Sequence, residues 1–259
     1  MNLLKSEFRK LFYSRTTYGL ILGATALSVL AAGVSPYAMS KASQLGLGLQ
    51  NQQLVDAVYG KATGGYLFAM ILGVILMAGE FRQGTAVATF LASPKRLHVV
   101  LAKVFVAFVA GALLQAVATG AGMTMAHFSL SLYQNVAAPS SSVFLDTSLA
   151  ALISGSVLAV VGVAIGTLLR NQMLGTLAAI LWLNLVEPIL LLVFPDGAKW
   201  FATGLIGGIL QLHISTGSKL VHIDTTSYFD PLTASALLLG YAAVFVAVAI
   251  ASTLRRDVD

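Results

Sequence analysis

Glu187 interrupts the apolar run LWLNLVEPILLLVFP, with Asn184 one turn before it and Pro188 directly after. A carboxylate at the centre of a bilayer costs about 2.5–3.5 kcal/mol or more. Its presence calls for a function or for donors that satisfy it. On the first reading, Asn184 and Glu187 are candidates for a substrate path. On the second, a neighbouring hydroxyl or backbone group satisfies the carboxylate. Pro188 lacks an N–H and so frees the carbonyl of Asn184, leaving a local polar spot in either case. Counted from Asn171 at about 1.5 Å per residue, Glu187 lies roughly 24 Å along its helix.

Other reactive groupings are sparse. His98, His127, His213 and His222 lack helical ligand spacing, and there is no HExxH. Gly60-Lys61 has neither the upstream glycine nor the following Ser or Thr of a phosphate-binding loop. Ser154 and Ser156 flank Gly155, but no His and carboxylate can be set beside them. The absence of cysteine excludes disulfides and thiolate metal sites. We therefore expect no catalytic residue, metal site or cofactor in this chain, and disfavour an intrinsic enzyme.

The densest charge lies in GEFRQGTAVATFLASPKRLHVVLAK, residues 79–103. Val87, Phe90 and Leu91 fall at i, i+3 and i+4, while Arg82, Gln83, Thr85 and Thr89 lie elsewhere. Pro94 closes the pattern. The spacing predicts a short amphipathic helix on a membrane face, its apolar stripe covered by lipid or by protein. An ordinary amphipathic loop is the plainer alternative. Glu80 is expected either to pin the helix end to a cation such as Arg15 or Lys103, or to remain a solvated rim charge.

These residues are positioned by apolar segments. The chain of 259 residues is 58% hydrophobic and 10% charged. Soluble domains carry about a quarter charged residues, so this is an all-α integral membrane protein. Segments long enough to span fall near 18–38, 63–80, 98–127, 143–169, 173–194 and 232–254. Of the 15 Lys and Arg, only Lys41, Lys61, Lys199 and Lys219 fall outside if both termini are cytoplasmic. That placement of charge argues for topology, not nucleic acid, as the reason for the basic balance.

Leu4, Phe8, Leu11 and Phe12 form one stripe of an N-terminal helix, with Lys5, Glu7, Arg9 and Lys10 off it. This reads as an amphipathic interfacial helix. The first span is expected to be retained rather than cleaved as a signal peptide. Residues 39–62 read as a polar outer loop, and SLYQNVAAPSSS as a solvated connector. Gly155, Ala159, Gly162 and Gly166 share a face of the fourth span, and Gly19 and Gly23 lie in the first. Small residues at this spacing allow close helix approach. PDGAKWFATGLIGGILQLHISTG is too short to cross and return, and suggests two short re-entrant helices in the outer leaflet before span six. Residues 1–259 form one transmembrane domain.

The 79–103 segment resembles one shared by permease subunits of the ABC type-2 exporter family. There an acidic residue closes the second span, followed by Gly-Thr, a Pro with a nearby Arg, and a Lys opening the third span. Here these are Glu80, Gly84, Thr85, Pro94, Arg96 and Lys103. The amphipathic start, six spans and apolar excursion before span six also match. The resemblance implies a multi-pass permease of a bacterial plasma membrane, paired with a second permease, identical or different. Two copies of a cytosolic ATP-binding subunit would supply ATP and Mg. The surface helix would then be a cytoplasmic coupling helix, with Arg82, Thr85, Val87, Phe90, Leu91 and Arg96 meeting the ATPase. Its substrate would be amphiphilic or hydrophobic. The alternative is an ATP-independent secondary transporter or channel, which would normally show more intramembrane charge or broken helices in repeated halves.

Overall fold

The computed structural model describes residues 2–42, 49–84, 96–209 and 229–255. Among them every regular element is helical. Helix α1 (Asn2–Tyr13) is followed after Ser14 by α2 (Arg15–Ala42). Then come α3 (Gln52–Gly60) and α4 (Tyr66–Arg82), joined by a 3-10 turn at Lys61–Thr63. Helices α5 (Arg96–Leu130) and α6 (Val143–Leu169) are the long pair; α7 (Gln172–Leu181) continues through a π turn at Trp182–Val186 into α8 (Glu187–Val193). A 3-10 turn at Pro195–Trp200 leads to α9 (Ala202–Ile209), and α10 is Pro231–Arg255.

Six helical segments are long and apolar enough to cross a membrane: Arg15–Ser40, Gln52–Arg82, His98–Leu130, Val143–Leu169, Gln172–Leu190 and Pro231–Ala249. They coincide with the expected spans, with one correction. Residues 52–60 do not belong to a polar outer loop. Asn51 caps α3 by accepting from the Gln53 amide, and Val55, Ala57, Val58 and Tyr59 are buried. The second span is therefore longer than expected and is broken at Lys61–Thr63. The connector between α5 and α6 is likewise tied down. The Ser140 amide donates to Asp56 Oδ1 at 2.9 Å, and the Ala137 amide to the Leu49 carbonyl at 2.9 Å.

Helix α6 is central. It packs on α4, α5 and α10, whereas α2, α7 and α10 lie at the periphery. Glycines make the close approach possible, as their spacing predicts. A Cβ on Gly162 would strike the Met70 carbonyl, and one on Gly73 the Ala159 carbonyl, so α4 and α6 touch backbone to backbone. Gly155 meets Gln115 and the Gly111 carbonyl of α5 in the same way. Gly23 faces Phe68, whereas Gly19 has no neighbour within 4 Å.

Helix ends at one pole of the bundle gather the charged residues. α6 stops where Arg170 turns left-handed at φ 50°, and Asn171 then caps α7 by accepting from the Met173 and Leu174 amides. Arg170 lies over the Phe81 ring at 5.8 Å, and Arg82 donates to Gln172 at 3.3 Å. These contacts fix the end of α4 against the α6–α7 turn.

Candidate functional site

Four charges from three helices meet at this pole. Glu7 and Lys10 come from α1, Glu80 from the last turn of α4, and Lys103 from the third turn of α5. Lys103 Nζ donates to Glu7 Oε2 at 2.6 Å and lies 2.9 Å from Glu80 Oε1. Lys10 Nζ reaches Glu7 Oε1 at 2.6 Å and Glu80 Oε1 at 2.8 Å. Lys103 also donates to the Leu76 carbonyl at 3.2 Å. Glu7 and Lys103 are 2% and 1% exposed, and Glu80 is buried too; only Lys10 of the four reaches solvent. Two acids balance two bases, as burial requires.

The local sequence explains the convergence. Leu4, Phe8 and Leu11 of α1 pack on the core beside Leu72, Leu76 and Met77 of α4. That rotation turns Glu7 inward, onto Lys103. Burial raises the Glu7 carboxyl, but the Lys103 charge and hydrogen bonds from both lysines outweigh it and hold the pKa below its ordinary value of 4.5. For Lys10, burial pulls downward, yet hydrogen bonds to Glu7 and Glu80 raise it above 10.5.

Several expectations are corrected here. Glu7 does not lie on the polar side of α1 but is buried. Glu80 is not a solvated rim charge: it is buried, and its partner on α5 is Lys103. Polarity alone assigns Glu7 to the outer side, but it stands three residues after Leu4 and four before Leu11, so helical spacing places it on their face with Phe8, and its i, i+3 spacing to Lys10 is a second signal.

The cluster sits at the base of the 79–103 segment. Gly84 follows the α4 C-cap at φ +67°, donating its amide to the Phe81 carbonyl at 3.3 Å. This left-handed position favours glycine and ends the helix. Arg82 is exposed, and Arg96 opens α5. Thr85, Val87, Phe90, Leu91 and Pro94 lie outside the described residues. The chain thus leaves α4 after Arg82 and returns into α5 at Arg96, its two ends held together by Glu80 and Lys103.

Asn184 and Glu187 are not brought together. Asn184 is exposed and donates to the Ile180 carbonyl of its own helix at 3.1 Å. Glu187 is 1% exposed and accepts four bonds. Trp182 Nε1 at 3.1 Å and the Ala202 amide at 3.2 Å reach Oε1; the Thr203 amide at 3.2 Å and hydroxyl at 2.7 Å reach Oε2. The carboxylate thereby caps the N-terminus of α9 from across the chain. The π turn at Trp182–Val186 has a local cause: Pro188 can neither donate to the Asn184 carbonyl nor fit tightly against it, so the preceding turn widens.

Beside Glu187 lies a cavity of about 480 Å³ between α4, α6, α7 and α10, walled almost wholly by apolar side chains. Compared with models of known protein families and with curated proteins, the chain finds no match in either.

Proposed function

We propose that the chain is the membrane-spanning permease subunit of an ATP-driven exporter of the ABC type-2 kind. Both termini and residues 81–97 face the cytoplasm of a bacterial cell, and ATP with Mg is hydrolysed by a separate subunit present in two copies. A second permease, identical or different, completes the pathway for an amphiphilic or hydrophobic substrate. The carrying observation is the 2.9 Å ion pair between Glu80 and Lys103, two positions of the family-like motif that lie 23 residues apart.

On this reading the pair has a mechanical purpose. A cytosolic partner that seats the 85–95 segment and changes conformation with nucleotide would push on the ends of α4 and α5. Glu80 and Lys103 tie those ends to each other, and Glu7 and Lys10 add α1. The three helices then move as one body instead of splaying. A partner drives such a change only if it binds the two membrane states with different affinity. The interfacial α1 would serve as the collar of this body at the lipid surface. Glu187 is saturated by donors, which leaves a secondary transporter without its most evident coupling carboxylate.

The test replaces Phe90 by Asp. Burial of such a side chain is worth about 1.5–3 kcal/mol, so a charge there should release a docked partner. The expected result is normal membrane insertion, with loss of a co-purifying cytosolic ATPase or of substrate-stimulated ATP hydrolysis. A variant that retains both, or a parent chain that captures no ATPase from its own cell, overturns the assignment.

A further inference from the structure

The cavity beside Glu187 is built for hydrocarbon. Met70 of α4 and Val161 of α6 form part of its floor, and Ala178 and Leu238 its flanks on α7 and α10. The slot arises because α7 and α10 stand at the periphery beside α6 and make no extensive contact with each other. Trp200 and Leu169 of the lining are 47% and 43% exposed, and the mouth on the side of α7 and α10 lies at Trp182 and Phe245, which are 46% and 43% exposed. Both belong to segments apolar enough to span a membrane, so the mouth faces acyl chains.

Water is a poor occupant. The polar groups of the lining have their hydrogen bonds elsewhere: Trp182 donates to Glu187, Glu187 accepts four bonds, and the Tyr241 hydroxyl donates to the Trp200 carbonyl. A buried water needs two to four polar partners. An empty slot would forfeit dispersion contacts along every wall. Its volume lies within the range of about 300–1,000 Å³ typical of small-ligand sites.

We propose that this cavity binds the alkyl chain of a membrane amphiphile, entering between α7 and α10 and leaving its head group at the mouth. The α9 cap fixes one wall: Glu187 holds Ala202 and Thr203, and with them the Trp200–Ala202 side of the cavity. The inference rests on the six-span membrane reading and not on an ATPase partner, so either can fail without the other.

The test uses purified full-length chain and two probes that carry a diazirine on the chain. One is a phosphatidylcholine in nanodiscs, the other free palmitate in detergent. Labelling should concentrate on peptides containing Trp182, Leu238 and Phe245, saturate, and be displaced by the unlabelled compound. Ala178→Trp, which fills the slot from an exposed helix position, should weaken displaceable labelling roughly tenfold, the loss from leaving about two methylenes unburied. Val117→Trp, on an exposed face of α5 away from the cavity, should leave it unchanged. Specific labelling by the phospholipid identifies a bilayer lipid as the source, and labelling by palmitate alone a free amphiphile. Labelling of Phe105 and Val117 as strong as that of the cavity, or insensitivity to Ala178→Trp, overturns the site.

Discussion

Replacing Lys103 by Met should undock α1 from the bundle. Lys103 is 1% exposed and faces two buried carboxylates, at 2.6 Å from Glu7 and 2.9 Å from Glu80. Its loss removes the one buried cation that both acids share, and the side chain of Lys10 is half in solvent. Removing one partner of a buried pair costs about 3–5 kcal/mol. If that cost is relieved by α1 swinging away, the undocked population rises by about two to three and a half orders of magnitude. The absence of cysteine makes the measurement direct. A cysteine at Leu11, which is partly buried against the core, is fully reached by a water-soluble maleimide only from the undocked state. Its labelling rate, normalised to an exposed reference cysteine, should rise by that factor in Lys103→Met and by much less in Lys10→Met. Pairing Lys103→Met with Glu7→Leu should recover most of the protection, because an apolar pair replaces a broken ionic one. Equal rates in parent and Lys103→Met, or no recovery in the double variant, would refute the reasoning.

The same reporter should respond to pH only at the extremes. Glu7 is lowered, so its contribution is complete above the ordinary 4.5 and lost as pH falls through its lowered value; Lys10 is raised, so its contribution is complete below 10.5 and lost as pH rises through its raised value. Normalised labelling should be flat between those limits, and a transition near neutrality would contradict the arrangement. At the other pole, Glu187→Ala should lower the melting temperature in detergent, since each buried donor left without an acceptor costs about 1–3 kcal/mol. Glu187→Gln keeps one carbonyl oxygen and should melt between Ala and parent. Melting of Glu187→Ala with the parent would show that the cap contributes nothing.

The six spans were legible in the sequence because length and hydropathy set them, although packing extends the second back to Gln52. The glycine face of α6 was legible for a similar reason: Gly155, Gly162 and Gly166 recur at helical spacing, and the structure uses each for a backbone approach. Helix α3 was not. A Gln-rich stretch with two glycines reads as loop, and the Asn51 cap with Leu54, Val55 and Val58 gives too short a pattern to outweigh it. Its burial depends on Leu130, Val143 and other residues far along the chain.

Glu7 shows a deeper limit. Hydropathy assigns a residue to a face by its own polarity, so a carboxylate inside an amphipathic helix is always sent outward. Helical spacing sets Glu7 on the packed face of Leu4, Phe8 and Leu11; what makes it tolerable there is a lysine 96 residues later, and Lys103 in turn is tolerable in α5 only because Glu7 and Glu80 come to it. Each charge is costly alone and acceptable together, which no local window can register. The segment at 79–103 could therefore be read for its surface stripe, but not for the clamp beneath it. That clamp is the more informative part. An apolar stripe in sequence needs only lipid to cover it, whereas four compensating charges on α1, α4 and α5 constrain these helices to shift together when anything pulls on the ends at Arg82 and Arg96.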